Sequence, residues 1–213
     1  MLNVARFTFN PFQENTYLVY DETGAGVLFD PGCWQQFEKD ELLAFIQDRQ
    51  IRLERLINTH CHIDHILGNQ FIAEKFGLPL EIHRGELPVL EAGPSVAAMF
   101  GISYTEISPM PGRYIEDGDP IAFGQSKLLA ILAPGHSPAS LCFFSEEDRL
   151  LLAGDVLFQG SIGRTDLPGG NYDTLIRSIR ERVFPLGDDV VVYPGHGLET
   201  TVGVERKTNP FLV

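Results

Sequence analysis

Residues 59–65 read Thr-His-Cys-His-Ile-Asp-His, and no other run narrows the choice of fold as much. Four groups able to bind a metal, His60, His62, Asp64 and His65, fall within six consecutive residues. The apolar run before them, LERLIN, reads as a strand. The DHILGNQFIAEKF that follows reads as a helix carrying Phe71, Ile72 and Phe76. Alternation along extended backbone aims His60 and His62 the same way, whereas Asp64 and His65 turn into the first helical residues and face a neighbouring position. One strand-to-helix corner can therefore serve two metal positions. Cys61, between two of the histidines, points away from them and takes a packing role.

The remaining histidines repeat the arrangement. Of the six in the chain, His136 and His196 each follow Pro-Gly at the end of an apolar run, in LLAILAPGH and DVVVYPGH. This weak internal echo suggests a pseudo-duplicated sandwich. Asp155 follows the run RLLLAG in the same way, so four strand ends converge on one edge of the sheets. Gly135, Gly154, Gly195 and Gly197 let the backbone turn closely there. Only His83 falls outside the pattern, and it reads as a core or exposed histidine. Ser137 and Ser140 read as loop and strand residues, and no Ser or Cys stands in a nucleophilic triad.

Apolar, β-branched runs bounded by Gly, Pro, Asn or Asp predict strands at 4–9, 16–20, 27–29, 53–57, 127–132, 141–144, 150–153 and 190–193. Apolar periodicity predicts helices near 35–49 (Leu42, Phe45, Ile46) and 171–184 (Leu175, Ile176, Ile179, Val183). Residues 85–118, rich in Gly, Pro and Met, read as a helical excursion and loop. Strands alternating with helices imply a layered α/β fold, and with no low-complexity tract or charge block the whole of 1–213 is expected to form a single domain.

Charge and composition bound the partners. With 16 basic and 29 acidic side chains the net charge is −13, which disfavours phosphate backbones and anionic membranes as ligands. The N-terminal segment lacks a basic stretch followed by a long apolar run, so a cytoplasmic location is expected. The three cysteines, Cys33, Cys61 and Cys142, have no CxxC spacing and read as free, mostly buried thiols.

Taken in order, Asp30-Pro-Gly, THCHIDH with Gly68, Pro134-Gly-His136, Gly154-Asp155, GRTDLPGG from Gly163 to Gly170, and YPGHG around His196 resemble the metallo-β-lactamase fold superfamily. Within it the chain is most similar to the short glyoxalase II-like (hydroxyacylglutathione hydrolase-like) metal-dependent hydrolases. The resemblance spans essentially the whole chain and implies a four-layer αβ/βα sandwich with the active site at one edge of its two sheets. It also implies a binuclear centre: His60, His62 and His136 on the first metal, Asp64, His65 and His196 on the second, and Asp155 bridging both.

The expected chemistry is thioester hydrolysis by a metal-bridging hydroxide held around Asp64 and Asp155, since a bound cation brings the pKa of water from about 15.7 to about 7. The donor set suits zinc first, with iron and manganese also matched to it, two ions in all. Arg164 is a candidate substrate contact or a salt-bridge residue, and Asp30 either orients a histidine ligand or is a plain turn residue. The expected partner is a small acyl-thioester, with no nucleic acid and no membrane. Two rivals stay open: a persulfide dioxygenase-like enzyme with one iron on His60, His136 and Asp155, and a non-catalytic metal-binding scaffold.

Overall fold

The polarity of the strands sets the layout. The computed structural model describes residues 1–213, which divide into two compact units. The first unit comprises Met1–Ile82, Leu87–Tyr114 and Ala122–Ser126; the second comprises His83–Glu86, Ile115–Ile121 and Lys127–Val213.

In the first unit, β1 (Asn3–Phe9), β2 (Glu14–Tyr20), β3 (Ala25–Phe29), β4 (Arg52–Ile57), β5 (Leu80–Ile82) and β6 (Arg113–Tyr114) form a sheet in sequence order. The first three strands pair antiparallel as hairpins, and β3 to β6 run parallel. Parallel pairing brings the carboxyl ends of β3, β4 and β5 to the same end of the sheet, with Phe29 opposite Ile57 and Ile57 opposite Glu81. Helices α1 (Gln36–Asp48), α2 (Ile63–Ile66), α3 (Asn69–Phe76) and α4 (Leu87–Met99) supply apolar side chains. Leu42, Ile46, Ile66, Ile72 and Leu90 join Leu18, Leu28 and Leu56 in one core.

The second sheet has the order β14-β13-β10-β9-β8-β7, from β7 (Pro120–Phe123), β8 (Ser126–Leu132), β9 (Leu141–Ser145), β10 (Leu150–Gly154), β13 (Val191–Pro194) and β14 (Thr200–Thr201). A separate hairpin joins β11 (Leu157–Phe158) to β12 (Ser161–Ile162). Strand β10 is parallel to β13 and antiparallel to β9, which is antiparallel to β8, so β8, β10 and β13 all end on the same side. Helix α5 (Tyr172–Ser178) and helix α6 (Val202–Thr208) bring Leu175 and Val202 into a core with Val156, Val190 and Val192.

The eight strands expected from sequence are present, each within two residues of its expected bounds. The helix expected after Asp64 is broken between α2 and α3, because the Gly68 N–H leaves the helical ladder for the Pro31 carbonyl at 2.7 Å. The helix expected over 171–184 is α-helical only to Ser178; a π turn (Ile179–Val183) and a 3-10 turn (Phe184–Leu186) follow, where Pro185 has no N–H to continue a helix. Residues 85–118 hold α4 as expected but also end in β6, too short to show a period. Helix α6 has only a local signature: the Thr201 hydroxyl accepts the Val204 N–H at 3.2 Å.

Candidate metal centre

The first unit supplies four of the expected donors from the corner after β4. His60 and His65 are fully buried, their rings 4.1 Å apart, and the rings of His60 and His62 meet edge to face at 4.8 Å. Asp64 lies in the first turn of α2, its Oδ2 3.6 Å from His65 Nε2.

Asp30 lies behind these rings. It follows β3 in a left-handed conformation (φ 49°), fixed by its N–H donating to the Ile57 carbonyl. Its carboxylate accepts the Thr59 N–H at 2.7 Å and the Thr59 hydroxyl at 2.6 Å. That assigns protons. Having donated its only proton to Asp30, the Thr59 hydroxyl can only accept from His60 Nδ1, 3.0 Å away, so His60 carries its proton on Nδ1 and presents a lone pair on Nε2. His65 Nδ1 lies 3.2 Å from the same carboxylate, which favours the same tautomer. One buried acid thus points two imidazole Nε2 atoms away from itself. Donor atoms of Asp30, His60 and His65 all lie within 4.8 Å of one another, but the Asp30 oxygens are engaged on the Nδ1 side.

The backbone of the corner is tied down as well. Asn58 Nδ2 donates to the His65 carbonyl at 2.8 Å, and Asn10 Nδ2 donates to the carbonyls of Asp64 (2.9 Å) and Gly32 (3.1 Å). A Cβ at Gly32 would stand 2.8 Å from the Asp64 carbonyl and 2.1 Å from Oε2 of the buried Glu14, so a side chain there would force the corner to shift. Glu14 is fully buried, and burial drives its carboxyl well above the ordinary range despite the opposing pull of His65.

The second unit supplies the other three donors. Asp155 Oδ2 lies 3.5 Å from His136 Nε2 and 3.5 Å from His196 Nε2. The parallel register of β10 and β13 brings Asp155 and His196 together: Gly154 pairs with Pro194, and the Gly195 N–H donates to the Gly154 carbonyl at 2.8 Å. His136 Nδ1 lies 2.8 Å from the Arg164 carbonyl, which can only accept, so this ring also carries its proton on Nδ1 and presents Nε2. Gly163 makes the approach sterically allowed, because a Cβ there would lie 1.9 Å from the Asp155 carbonyl and 2.9 Å from His136 Nδ1.

The donor chemistry fits divalent cations. Imidazoles with Nδ1 engaged and Nε2 presented, alongside ionisable carboxylates, are what a metal of zinc or iron type takes as ligands. None of the three thiols belongs to a group of donor atoms close enough to hold a metal; all are buried, and burial pushes Cys33 and Cys142 up to about 12.

The Metallo-beta-lactamase superfamily sequence model matches residues 9–196. The chain belongs to that superfamily. Among curated relatives, Hydroxyacylglutathione hydrolase GloC of Haemophilus influenzae is 33% identical over 99% of this chain and 98% of its own length. The protein named "Probable metallo-hydrolase YqgX" of Bacillus subtilis is 35% identical over 97% of this chain and 96% of its own. Solved structures agree: BLEG-1, a B3 metallo-beta-lactamase, superposes with TM-score 0.89 at 31% identity, each chain fully covered. TTHA1623 in a di-iron-bound form gives 0.88 at 38% identity over 98% of this chain and all of that one. ETHE1 from Myxococcus xanthus gives 0.76 at 25% identity, covering 98% and 83%. The chain therefore has the mixed α/β metallo-beta-lactamase fold and is a metal-dependent hydrolase in broad class. No helix is long and apolar enough to cross a membrane.

Arg164 makes a bidentate pair with Asp166 at 2.7 Å for both bonds, and its backbone carbonyl, not its side chain, meets His136. His83 takes a local role, Nδ1 accepting the Gly85 N–H while Nε2 lies 3.3 Å from Glu116. Thr59 and Asn10, which hydrogen-bond His60 and the backbone of Asp64, carry no periodicity or spacing signal. Only adjacency to His60 singles out Thr59.

Proposed function

We propose that the chain is a thioester hydrolase of glyoxalase II type, using two divalent cations held by His60, His62 and His136, by Asp64, His65 and His196, and by Asp155 shared between them. The observation that carries this reading is the position of Asp155 Oδ2, 3.5 Å from the Nε2 atoms of both His136 and His196. A carboxylate oxygen equidistant from two imidazole donors suits a ligand common to two ions. The di-iron form of TTHA1623, at 38% identity, supports a count of two. Zinc and iron both match the nitrogen and oxygen donors.

When bound, such ions lower the pKa of water and polarise a carbonyl. The chain's own residues orient and balance. Asp30, through the Thr59 hydroxyl, and the Arg164 carbonyl keep His60 and His136 in one tautomer, so no proton has to move before a ligand nitrogen is available there. Asp64 and Asp155 would offset part of the charge of bound cations and would leave an excess of positive charge in the site. The leaving group best matched to this set departs as an anion. A thiolate does so readily, its conjugate acid having a pKa of about 8.5. The name of the Haemophilus influenzae relative supports a hydroxyacyl thioester of glutathione as one member of the class. The Arg164 guanidinium, already paired with Asp166, is assigned to hold its loop.

A second reading, one iron on His60, His136 and Asp155 with oxygen chemistry, draws support from the fold shared with ETHE1. It leaves Asp64, His65 and His196 without a task, although His65 is fully buried, with its carbonyl held by Asn58 and its Nδ1 3.2 Å from Asp30. Metal analysis of the purified protein, with thiol release from a panel of thioesters and oxygen uptake on persulfides, separates the two. The hydrolase reading expects close to two metal equivalents and thiol release abolished by chelator. Thioesterase activity that survives complete metal removal would rule it out.

A further inference from the structure

Glu86 is a fully buried carboxylate at the end of the 3-10 turn Arg84–Glu86, and it belongs to the same compact unit as His136, Asp155 and His196. Both of its oxygens lie within reach of the Ser137 hydroxyl, at 2.6 and 2.7 Å, and Oε1 also accepts the Ala139 N–H at 2.8 Å. Burying a carboxylate is costly even when its hydrogen bonds are made. The acid is there for what it fixes.

What it fixes is the loop bearing His136. The Ala133 N–H donates to the Ser140 carbonyl at 2.8 Å and closes the base of that loop, and the Gly135 N–H donates to the Ser137 carbonyl at 3.0 Å and closes a tight turn around His136 itself. Gly135 has φ 130°, and a Cβ there would stand 2.3 Å from the Leu175 nitrogen, so the turn is pressed against α5. Glu86 ties the same loop at the two positions that flank Pro138. The turn holding Glu86 is itself seated closely, with Gly85 so near that a Cβ would lie 2.7 Å from that of Ala139. His136 is thus held at its backbone through Glu86 and at its ring through the Arg164 carbonyl.

We propose that Glu86 is a positioning residue for the metal centre: by clamping Ser137 and Ala139 it sets where His136 Nε2 points, without touching metal or substrate. The proposal rests on the reading of His136 as a ligand. Loss of such an outer partner commonly weakens metal binding about 10–100-fold.

The test uses the full chain and zinc alone. Metal-free wild type, Glu86→Ala, Glu86→Gln and His136→Ala are titrated with Zn(II) against a chromophoric chelator, with thermal unfolding of each metal-free protein recorded alongside. Glu86→Ala is expected to weaken one zinc equivalent about 10–100-fold and leave the other within about threefold, a selectivity that general loosening of the fold does not produce. Glu86→Gln is expected within about threefold of wild type at both sites, since its amide can still accept from Ala139 and donate to Ser137 Oγ. If Glu86→Ala does not fold, Ser137→Ala decides, with an expected loss of about threefold or more at one site. Wild-type binding of both equivalents by Glu86→Ala, or by Ser137→Ala where that decides, overturns the proposal. Wild-type binding by His136→Ala overturns instead the ligand assignment beneath it.

Discussion

Changing Asp30 to Asn alters almost no volume, yet the hydrogen-bond logic around it predicts that both metal positions fail together. The Asp30 carboxylate accepts from the Thr59 N–H, the Thr59 hydroxyl and Asn58 Nδ2, and faces His65 Nδ1 at 3.2 Å. In Asp30→Asn one oxygen can keep the Thr59 N–H, but the atom facing the Thr59 hydroxyl becomes a donor. The hydroxyl then accepts from the introduced amide and turns its own proton toward His60 Nδ1, which moves the His60 proton to Nε2, the atom a metal needs. The same amide confronts His65 Nδ1–H. A single missing outer partner costs about 10–100-fold in metal affinity. Because Asp30 serves one imidazole of each proposed set, each of the two equivalents should weaken by about that factor, about 1.4 to 2.7 kcal/mol per site. The two short charge-assisted bonds from Thr59 become neutral ones, and the metal-free fold should lose about 2 kcal/mol. Competition titration with zinc measures the first effect and denaturant unfolding of the metal-free protein the second. Zinc affinities within about twofold of wild type at both sites would show that Asp30 does not set the tautomers, and the derivation from Thr59 would fail. A loss confined to one site would remove His60 or His65 from the argument.

Gly163→Ala places a methyl group 1.9 Å from the Asp155 carbonyl, so backbone must shift; a cost of about 1–3 kcal/mol in unfolding free energy and a metal content below wild type are expected, and unchanged values in calorimetry and metal analysis would refute the steric account. Acid should weaken the fold below about pH 4. The Arg164 pair holds Asp166 down to about 2; burial pushes Asp117 up, but hydrogen bonds from Arg182 and the Leu132 N–H together outweigh it and leave that carboxyl lowered. A carboxyl with a depressed folded pKa contributes stability above its ordinary value of 3.8 and loses it as pH falls toward the folded value. Unfolding curves should therefore show a shallower loss between about pH 4 and pH 2 in Asp117→Asn than in wild type, and parallel losses would contradict the assignment.

The parts of the molecule legible in sequence are those where one residue type does one job at a fixed period. Strands such as Leu150–Gly154 announce themselves because every side chain is buried, and the donor residues announce themselves because His and Asp recur where such runs stop. Short elements escaped for a matching reason: β6, β11, β12 and β14 have two residues each, fewer than one repeat of the pattern that would reveal them. The break between α2 and α3 escaped because it depends on a tertiary partner, the Pro31 carbonyl, which competes with the helix for the Gly68 N–H.

The residues that aim the donors were hidden more deeply. Glu86, in the polar stretch His-Arg-Gly-Glu, looks like a solvated turn, and its full burial against Ser137 and Ala139 depends on residues 51 and 53 positions away folding over it. Asn10 and Thr59 likewise act through single hydrogen bonds of long sequence separation or through a proton's position, neither of which leaves a period, whereas Asp30 stands out in sequence through the Asp-Pro-Gly turn. A chain can therefore keep all seven donors and still bind metal poorly. The ligand motif states which atoms are offered, and the buried polar partners behind it decide which nitrogen of each ring is offered and in which direction. Substitutions at Asp30 and Glu86 should accordingly change metal affinity while leaving the recognisable motif intact.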